Sequence, residues 1–69
     1  QSAGLEHIAQ KVGEEAVELV IAAISQSRER IVEETADLLY HLLVLLNAKG
    51  ISLAEIEDEL ENRHTDSSK

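Results

Sequence analysis

The chain contains no proline, and its three glycines stand at positions 4, 13 and 50. So few breakers leave little room for the tight turns that join strands into hairpins, and the long stretches between them are free to follow helical periodicity. Composition agrees. Hydrophobic residues make up 43 % of the sequence, yet Tyr40 is its only aromatic, so a core must be built from Leu, Ile, Val and Ala, a palette that suits helix packing. An all-α fold follows.

At about 100° per residue, Leu5, Ile8, Val12, Ala16, Leu19, Val20 and Ala23 gather into one stripe of a first helix spanning Ser2 to Ser25. Val17, Ile21 and Ile24 form a second apolar patch, and a helix apolar on two sides has partners on two sides. Gly13 interrupts this helix at a cost of about 1 kcal/mol relative to alanine; close approach of a helix or ligand there, or tolerated drift, would each account for it. The polar link SQS, residues 25–27, offers Ser27 as a cap for a second helix from Arg28 to Ala48. Its LLYHLLVLL run is too leucine-rich for a surface helix and is expected at the centre of a bundle. Gly50 is placed to follow the C-cap, and SLAE, residues 52–55, reads as a capping box opening a third helix that ends near Arg63. That helix carries Leu53, Ile56 and Leu60 on one stripe, and the polar tail TDSSK is expected to fray.

A chain of 69 residues has room for one domain, residues 1–69, and buries too little apolar surface to be comfortable alone. It has no cysteine, so neither disulfides nor thiolate metal sites supply the missing stability. Association into a helical bundle as a homodimer is expected. The chain opens on Gln1, and we expect it to lack an N-terminal segment. A net charge of −8 opposes binding to DNA or RNA, which depends on Lys and Arg displacing counterions. Without a long uncharged apolar run or a signal-like opening, we expect a cytoplasmic protein that does not enter a membrane.

The informative polar residues are acidic. Glu15 and Glu18 are three apart on the first helix, at the edge of its main apolar stripe; Glu34 and Asp37 repeat that spacing on the second. If the two helices pack antiparallel across their short link, two carboxylate pairs face each other over one groove. Four such anions repel, and without a cation some must take up a proton. A hard divalent ion removes the conflict, and carboxylates without thiolates suit Mg²⁺, with Mn²⁺ as an alternative. Such an ion would turn an acidic groove into a phosphate site. The competing reading, solvated surface charge, is the better one for Glu55, Glu57, Asp58, Glu59 and Glu61.

KVGEEAVELVIAA, EETADLLYHLLVLL and GISLAEIEDELENRH, taken together, closely resemble the phosphoribosyl-ATP pyrophosphohydrolase family, within the MazG-like all-α nucleotide pyrophosphatases. The resemblance runs from Gly4 to His64. The superfamily pattern E-E-x-x-E, then E-x-x-D, is met by Glu14, Glu15, Glu18, Glu34 and Asp37; the KVGEE lead-in and the ADLLYHLLVLL run suggest the histidine-pathway branch. It implies an enzyme that uses Mg²⁺ to hydrolyse the α,β-phosphoanhydride of phosphoribosyl-ATP, giving phosphoribosyl-AMP and pyrophosphate. Carried over by position, Glu15, Glu18, Glu34 and Asp37 are the expected metal ligands, with Glu14 an outer-shell ligand or the base for the attacking water. Members usually carry a further N-terminal segment, and the unit also occurs fused behind phosphoribosyl-AMP cyclohydrolase.

Lys11, one turn before Glu15, is a candidate phosphate contact or an ordinary helix ion pair worth about 0.3 kcal/mol. His41, one turn beyond Asp37, is a candidate contact to substrate or to a ligand carboxylate; the plainer reading is a satisfied interface histidine. Tyr40 is expected at a packing or subunit contact. Arg28 and Arg30, near the turn, read as surface residues rather than phosphate clamps. Two other functions compete: a MazG-like housecleaning pyrophosphatase of (deoxy)nucleoside triphosphates, and a helical dimerisation module that binds no metal.

Overall fold

The computed structural model describes residues 2–67, with side chains described from 4 to 64. Three helices account for almost all of it: α1 (Ser2–Ser25), α2 (Arg28–Ala48) and α3 (Leu53–Ser67), with no strand among the described residues. The all-α expectation and the first two helices agree with the sequence reading.

The punctuation between helices is local chemistry. Ser27, in an extended conformation, accepts a hydrogen bond from the Arg30 amide at 3.3 Å and caps α2, so the α1–α2 link needs only two residues. At the other end Gly50 adopts φ +71°, its amide donates to Asn47 O at 3.1 Å, and the Ile51 amide donates to Leu46 O at 2.9 Å. This is a Schellman closure, and it requires the one residue without a Cβ penalty. The capping box is complete as well: the Glu55 amide donates to Ser52 Oγ at 3.2 Å, and the Ser52 amide donates to Glu55 Oε2 at 3.0 Å. The chain bends by 105° between α2 and α3.

α1 and α2 pack antiparallel into a hairpin, the one extensive helix contact among the described residues. Its seam on α1 runs through Ile8, Val12, Glu15, Leu19 and Ala22, with Ala22 the one buried apolar residue among those described. The expected stripe is therefore rotated: Val20 is 58 % exposed and Ala23 also faces outward, while Ala22 takes the seam. The physical reason is the alternating three- and four-residue step of paired helices, which drifts away from a straight-helix stripe over several turns. On α2 the seam passes through Ile31, Glu34, Leu38 and His41 to Leu45.

Within one chain α2 is covered by α1 along one side, and Val32, Leu39, Tyr40 and Leu43 stand exposed on the remainder. One helix end differs from expectation. α3 extends to Ser67 rather than stopping near Arg63, because no glycine or proline follows to end it. Of the TDSSK tail, Thr65–Ser67 lie within α3, and Ser68 and Lys69 lie outside the described residues. α3 diverges from the hairpin with Leu53, Ile56 and Leu60 all exposed. Among the described residues no single helix is long and apolar enough to cross a membrane.

Candidate metal centre

Two glutamates occupy seam positions that packing alone would give to leucine. Glu15 on α1 is 7 % exposed and Glu34 on α2 is 4 % exposed. Glu18, one turn along α1 from Glu15, is exposed at the groove's edge. One carboxylate oxygen from each of the three lies within 4.8 Å of the others. The antiparallel hairpin creates this convergence, since a seam position on one helix faces a seam position on the other.

The site is only half neutralised. On α1, Lys11 Nζ lies 3.7 Å from Glu15 Oε2 and 3.8 Å from Glu14 Oε1. On α2, the Arg30 guanidinium pairs with Glu34 Oε2 and Glu33 Oε1. Among the described residues no donor reaches the second oxygens, Glu15 Oε1 and Glu34 Oε1, both buried; Glu18 meets Glu34 as one carboxyl meets another, a contact that needs a shared proton. A buried carboxylate oxygen without a donor is expensive, so two at one place call for a ligand. Glu34 responds accordingly: burial raises its pKa above the ordinary value, and the facing Glu18 carboxyl adds to the rise. Arg30 pulls in the opposite direction, and Asp37 contributes a smaller push upward.

The donor set consists of carboxylate oxygens, and the chain has no thiol. Such a set fits a hard divalent cation, which would satisfy both orphaned oxygens and remove the mutual repulsion.

The remaining expected residues are distributed around this centre. Asp37 is exposed one turn beyond Glu34, outside the three converging carboxylates, although its charge reaches Glu34. Glu14 is exposed and accepts from Gln10 Nε2 at 2.9 Å. It borders an open groove of about 480 Å³ with Gln10, Gly13, Val17 and Glu18. A Cβ at Gly13 would meet nothing within 4 Å, so within this chain neither helix nor side chain makes the close approach considered for it. His41 is half-buried, with Nδ1 3.0 Å from Asp37 O. A carbonyl only accepts, so in this contact Nδ1 carries the hydrogen. Tyr40 is exposed and stands edge-on to the His41 ring at 5.1 Å.

Arg30 is exposed, as its reading as a surface residue expected, but sequence reasoning missed its pairing with the buried Glu34. The usable signal was its spacing of four from Glu34, the same as that of Lys11 from Glu15.

Comparison with known proteins identifies the family. The family described as phosphoribosyl-ATP pyrophosphohydrolase matches residues 1–64. The phosphoribosyl-ATP pyrophosphatase of Pyrobaculum arsenaticum is 64 % identical over 62 residues, covering 90 % of this chain and 66 % of the relative. That of Metallosphaera sedula is 63 % identical over 60 residues, covering 87 % and 64 %. Phosphoribosyl-ATP pyrophosphatase 1 of Bradyrhizobium diazoefficiens is 58 % identical over 60 residues, covering 87 % and 57 %. The chain thus spans two thirds or less of the length of these curated relatives. No solved structure matches it. With the family's pattern covering nearly all of the sequence, and relatives this similar on both sides of the carboxylate centre, the chain belongs to the phosphoribosyl-ATP pyrophosphohydrolase family.

Proposed function

We propose that this chain is the catalytic unit of a Mg²⁺-dependent pyrophosphohydrolase that cleaves the α,β-phosphoanhydride of phosphoribosyl-ATP, releasing phosphoribosyl-AMP and pyrophosphate in the second step of histidine biosynthesis. The observation that carries the reading is the pair of buried, unpartnered oxygens, Glu15 Oε1 and Glu34 Oε1, in a cluster of three carboxylates. The relatives' name supplies the substrate, and the cytoplasm is the compartment that suits such a biosynthetic step.

In this reading Glu15, Glu18 and Glu34 hold the cation, and Asp37, one turn from Glu34, completes the set. Bound there, Mg²⁺ would neutralise phosphate oxygens and lower the pKa of a water it holds. The chain does the rest by placement. The rigid hairpin fixes the carboxylates, so the anhydride is oriented against them rather than in bulk water. Water attacks phosphorus, the anhydride P–O bond breaks with its electron pair leaving on pyrophosphate, and a positioned carboxylate takes the water's proton. Glu14, beside Glu15 at the rim, is assigned that role, with Lys11 and His41 as contacts to the substrate. The exposed apolar faces of α1, α2 and α3 are covered in a homodimer.

The test is pyrophosphate release by the protein containing this chain, with Mg²⁺ or with chelator, on phosphoribosyl-ATP, dUTP, dCTP and ATP. Turnover that requires Mg²⁺ and favours phosphoribosyl-ATP supports the assignment. Preference for a deoxynucleotide overturns the substrate and keeps the chemistry; no turnover of any of them leaves the dimerisation module as the better reading.

A further inference from the structure

The carboxylate centre already contains a cation of its own. The Arg30 guanidinium donates through Nη2 to Glu34 Oε2 and through Nη1 to Glu33 Oε1, while Nε donates to Gln26 Oε1 at 3.3 Å. The two carboxylates differ in kind: the Glu34 side chain is 6 % exposed and belongs to the converging cluster, whereas the Glu33 side chain is 61 % exposed and lies outside it. Arg30 therefore straddles the wall of the site. With Glu18, Ile21, Gln26 and Glu34 it lines an open groove of about 320 Å³, so the side chain has room to move without disturbing packing.

We propose that Arg30 is the resident counter-cation of this centre: it holds Glu34 when no divalent ion is bound, and yields that carboxylate by swinging wholly onto Glu33 when one enters. This rests on the reading of Glu15, Glu18 and Glu34 as a divalent-cation site. One guanidinium cannot finish the neutralisation, because it reaches a single oxygen of the cluster and leaves Glu15 Oε1 and Glu34 Oε1 unpartnered. A divalent ion placed among the three oxygens would satisfy them, but it would also repel a guanidinium bound to one of its own ligands. Retreat is easy, since the contacts to Glu33 and Gln26 lie outside the cluster and survive it. Arginine suits the role better than lysine, because its planar fork spans two carboxylates at once. Lys11 stands in the parallel position on α1, but at 3.8 Å from Glu14 Oε1 and 3.7 Å from Glu15 Oε2 its ammonium is beyond hydrogen-bond distance, whereas Arg30 donates directly to Glu34. Entry of a metal is therefore an exchange of cations, and Arg30 lowers metal affinity while supporting the metal-free fold.

The experiment is calorimetric titration of the chelator-treated protein with Mn²⁺, together with metal-free melting curves, for wild type, Arg30→Gln, Arg30→Lys and Arg28→Gln. Arg28 makes the same charge change from a different groove, lined with Glu29, Val32 and Glu33. Arg30→Gln is expected to bind Mn²⁺ about fivefold more tightly than wild type, on the scale of one partly exposed ion pair, and to melt lower without metal. Arg30→Lys should fall between the two, and Arg28→Gln should stay close to wild type. The difference between the two glutamine variants should persist in about 0.5 M KCl, where long-range charge effects are screened. Wild type that binds Mn²⁺ while Arg30→Gln binds it no more tightly than Arg28→Gln would overturn the role of Arg30 alone. Absence of Mn²⁺ binding by wild type would overturn the metal reading, and this proposal with it.

Discussion

Glu15 and Glu34 are counterparts across the α1–α2 hairpin: each is buried, each has a cation four residues earlier on its own helix, and each keeps Oε1 without a partner. Lys11 and Arg30 meet only the Oε2 atoms. One oxygen of each glutamate also lies within 4.8 Å of a Glu18 oxygen. On the proposed reading, three acids at one place, two of them in the packing seam, would trade stability of the metal-free fold for the capacity to hold a cation.

Replacing one acid should reveal that trade. Glu18→Gln keeps the shape at the groove's edge and removes one of three charges, so without metal it should melt higher than wild type, while the rise in melting temperature on adding Mg²⁺ should shrink. For wild type, Mg²⁺ at a hundredfold excess over its dissociation constant should stabilise by about 2.7 kcal/mol. Melting curves with chelator and with Mg²⁺ check both statements, and a Glu18→Gln protein that melts lower in chelator would contradict the account.

The pH dependence has a definite sign. Burial, and then the facing Glu18 carboxyl, raise the pKa of Glu34 in the folded chain. A carboxyl that binds its proton more tightly when folded contributes stability that is full below its unfolded pKa and is lost as pH rises through the raised folded value. In chelator, the stability difference between wild type and Glu34→Gln should therefore move in favour of wild type as the pH falls through that window. With saturating Mg²⁺ the ion keeps Glu34 ionised, so protons compete with it and the metal's stabilising effect should weaken on acidification. Melting temperatures of both proteins across pH, with and without metal, give the two slopes.

The turn after α2 offers a test of local chemistry. Gly50 has φ +71° with open space where a Cβ would stand, so Gly50→Ala meets no clash but must hold a left-handed conformation. The cost should be about 1–2 kcal/mol, read from denaturant unfolding. An unchanged midpoint would mean that the α2–α3 bend closes in some other way.

Much of this was legible beforehand, because caps and breakers act within a few residues. Ser27, Gly50 and the Ser52–Glu55 box gave the helix starts and the α2–α3 break; the end of α3 was misjudged because it has no such signal. The carboxylate cluster was visible as two three-residue spacings beside apolar stripes. What sequence periodicity did not show was rotation. The seam between α1 and α2 follows the pairing of two helices, so Ala22 was overlooked in favour of Val20 and Ala23, and Asp37 stands one turn outside the cluster it was expected to share. Arg30 is the surface residue it was read as, and its pairing with Glu34 was missed for a related reason: the facing helix buries the partner, not the arginine.

The exposed apolar residues predict association. Leu39 is 52 % exposed on α2 and Ile24 is 82 % exposed on α1, and neither is needed to close the hairpin. Sedimentation equilibrium should find a dimer, and Leu39→Glu should raise the monomer fraction at equal concentration. A monomer at all concentrations, with these faces bare, would contradict it.

The central claim is that Glu15 and Glu34 are buried in order to hold a divalent cation. The most direct measurement is Mn²⁺ binding followed by electron paramagnetic resonance, in which free Mn²⁺ loses signal as it is bound, for wild type, Glu15→Gln and Glu34→Gln. Saturable binding by wild type that is lost or strongly weakened in both variants is the predicted result. Equal binding by all three proteins, or none by any, would show that the two buried carboxylates serve something other than a metal.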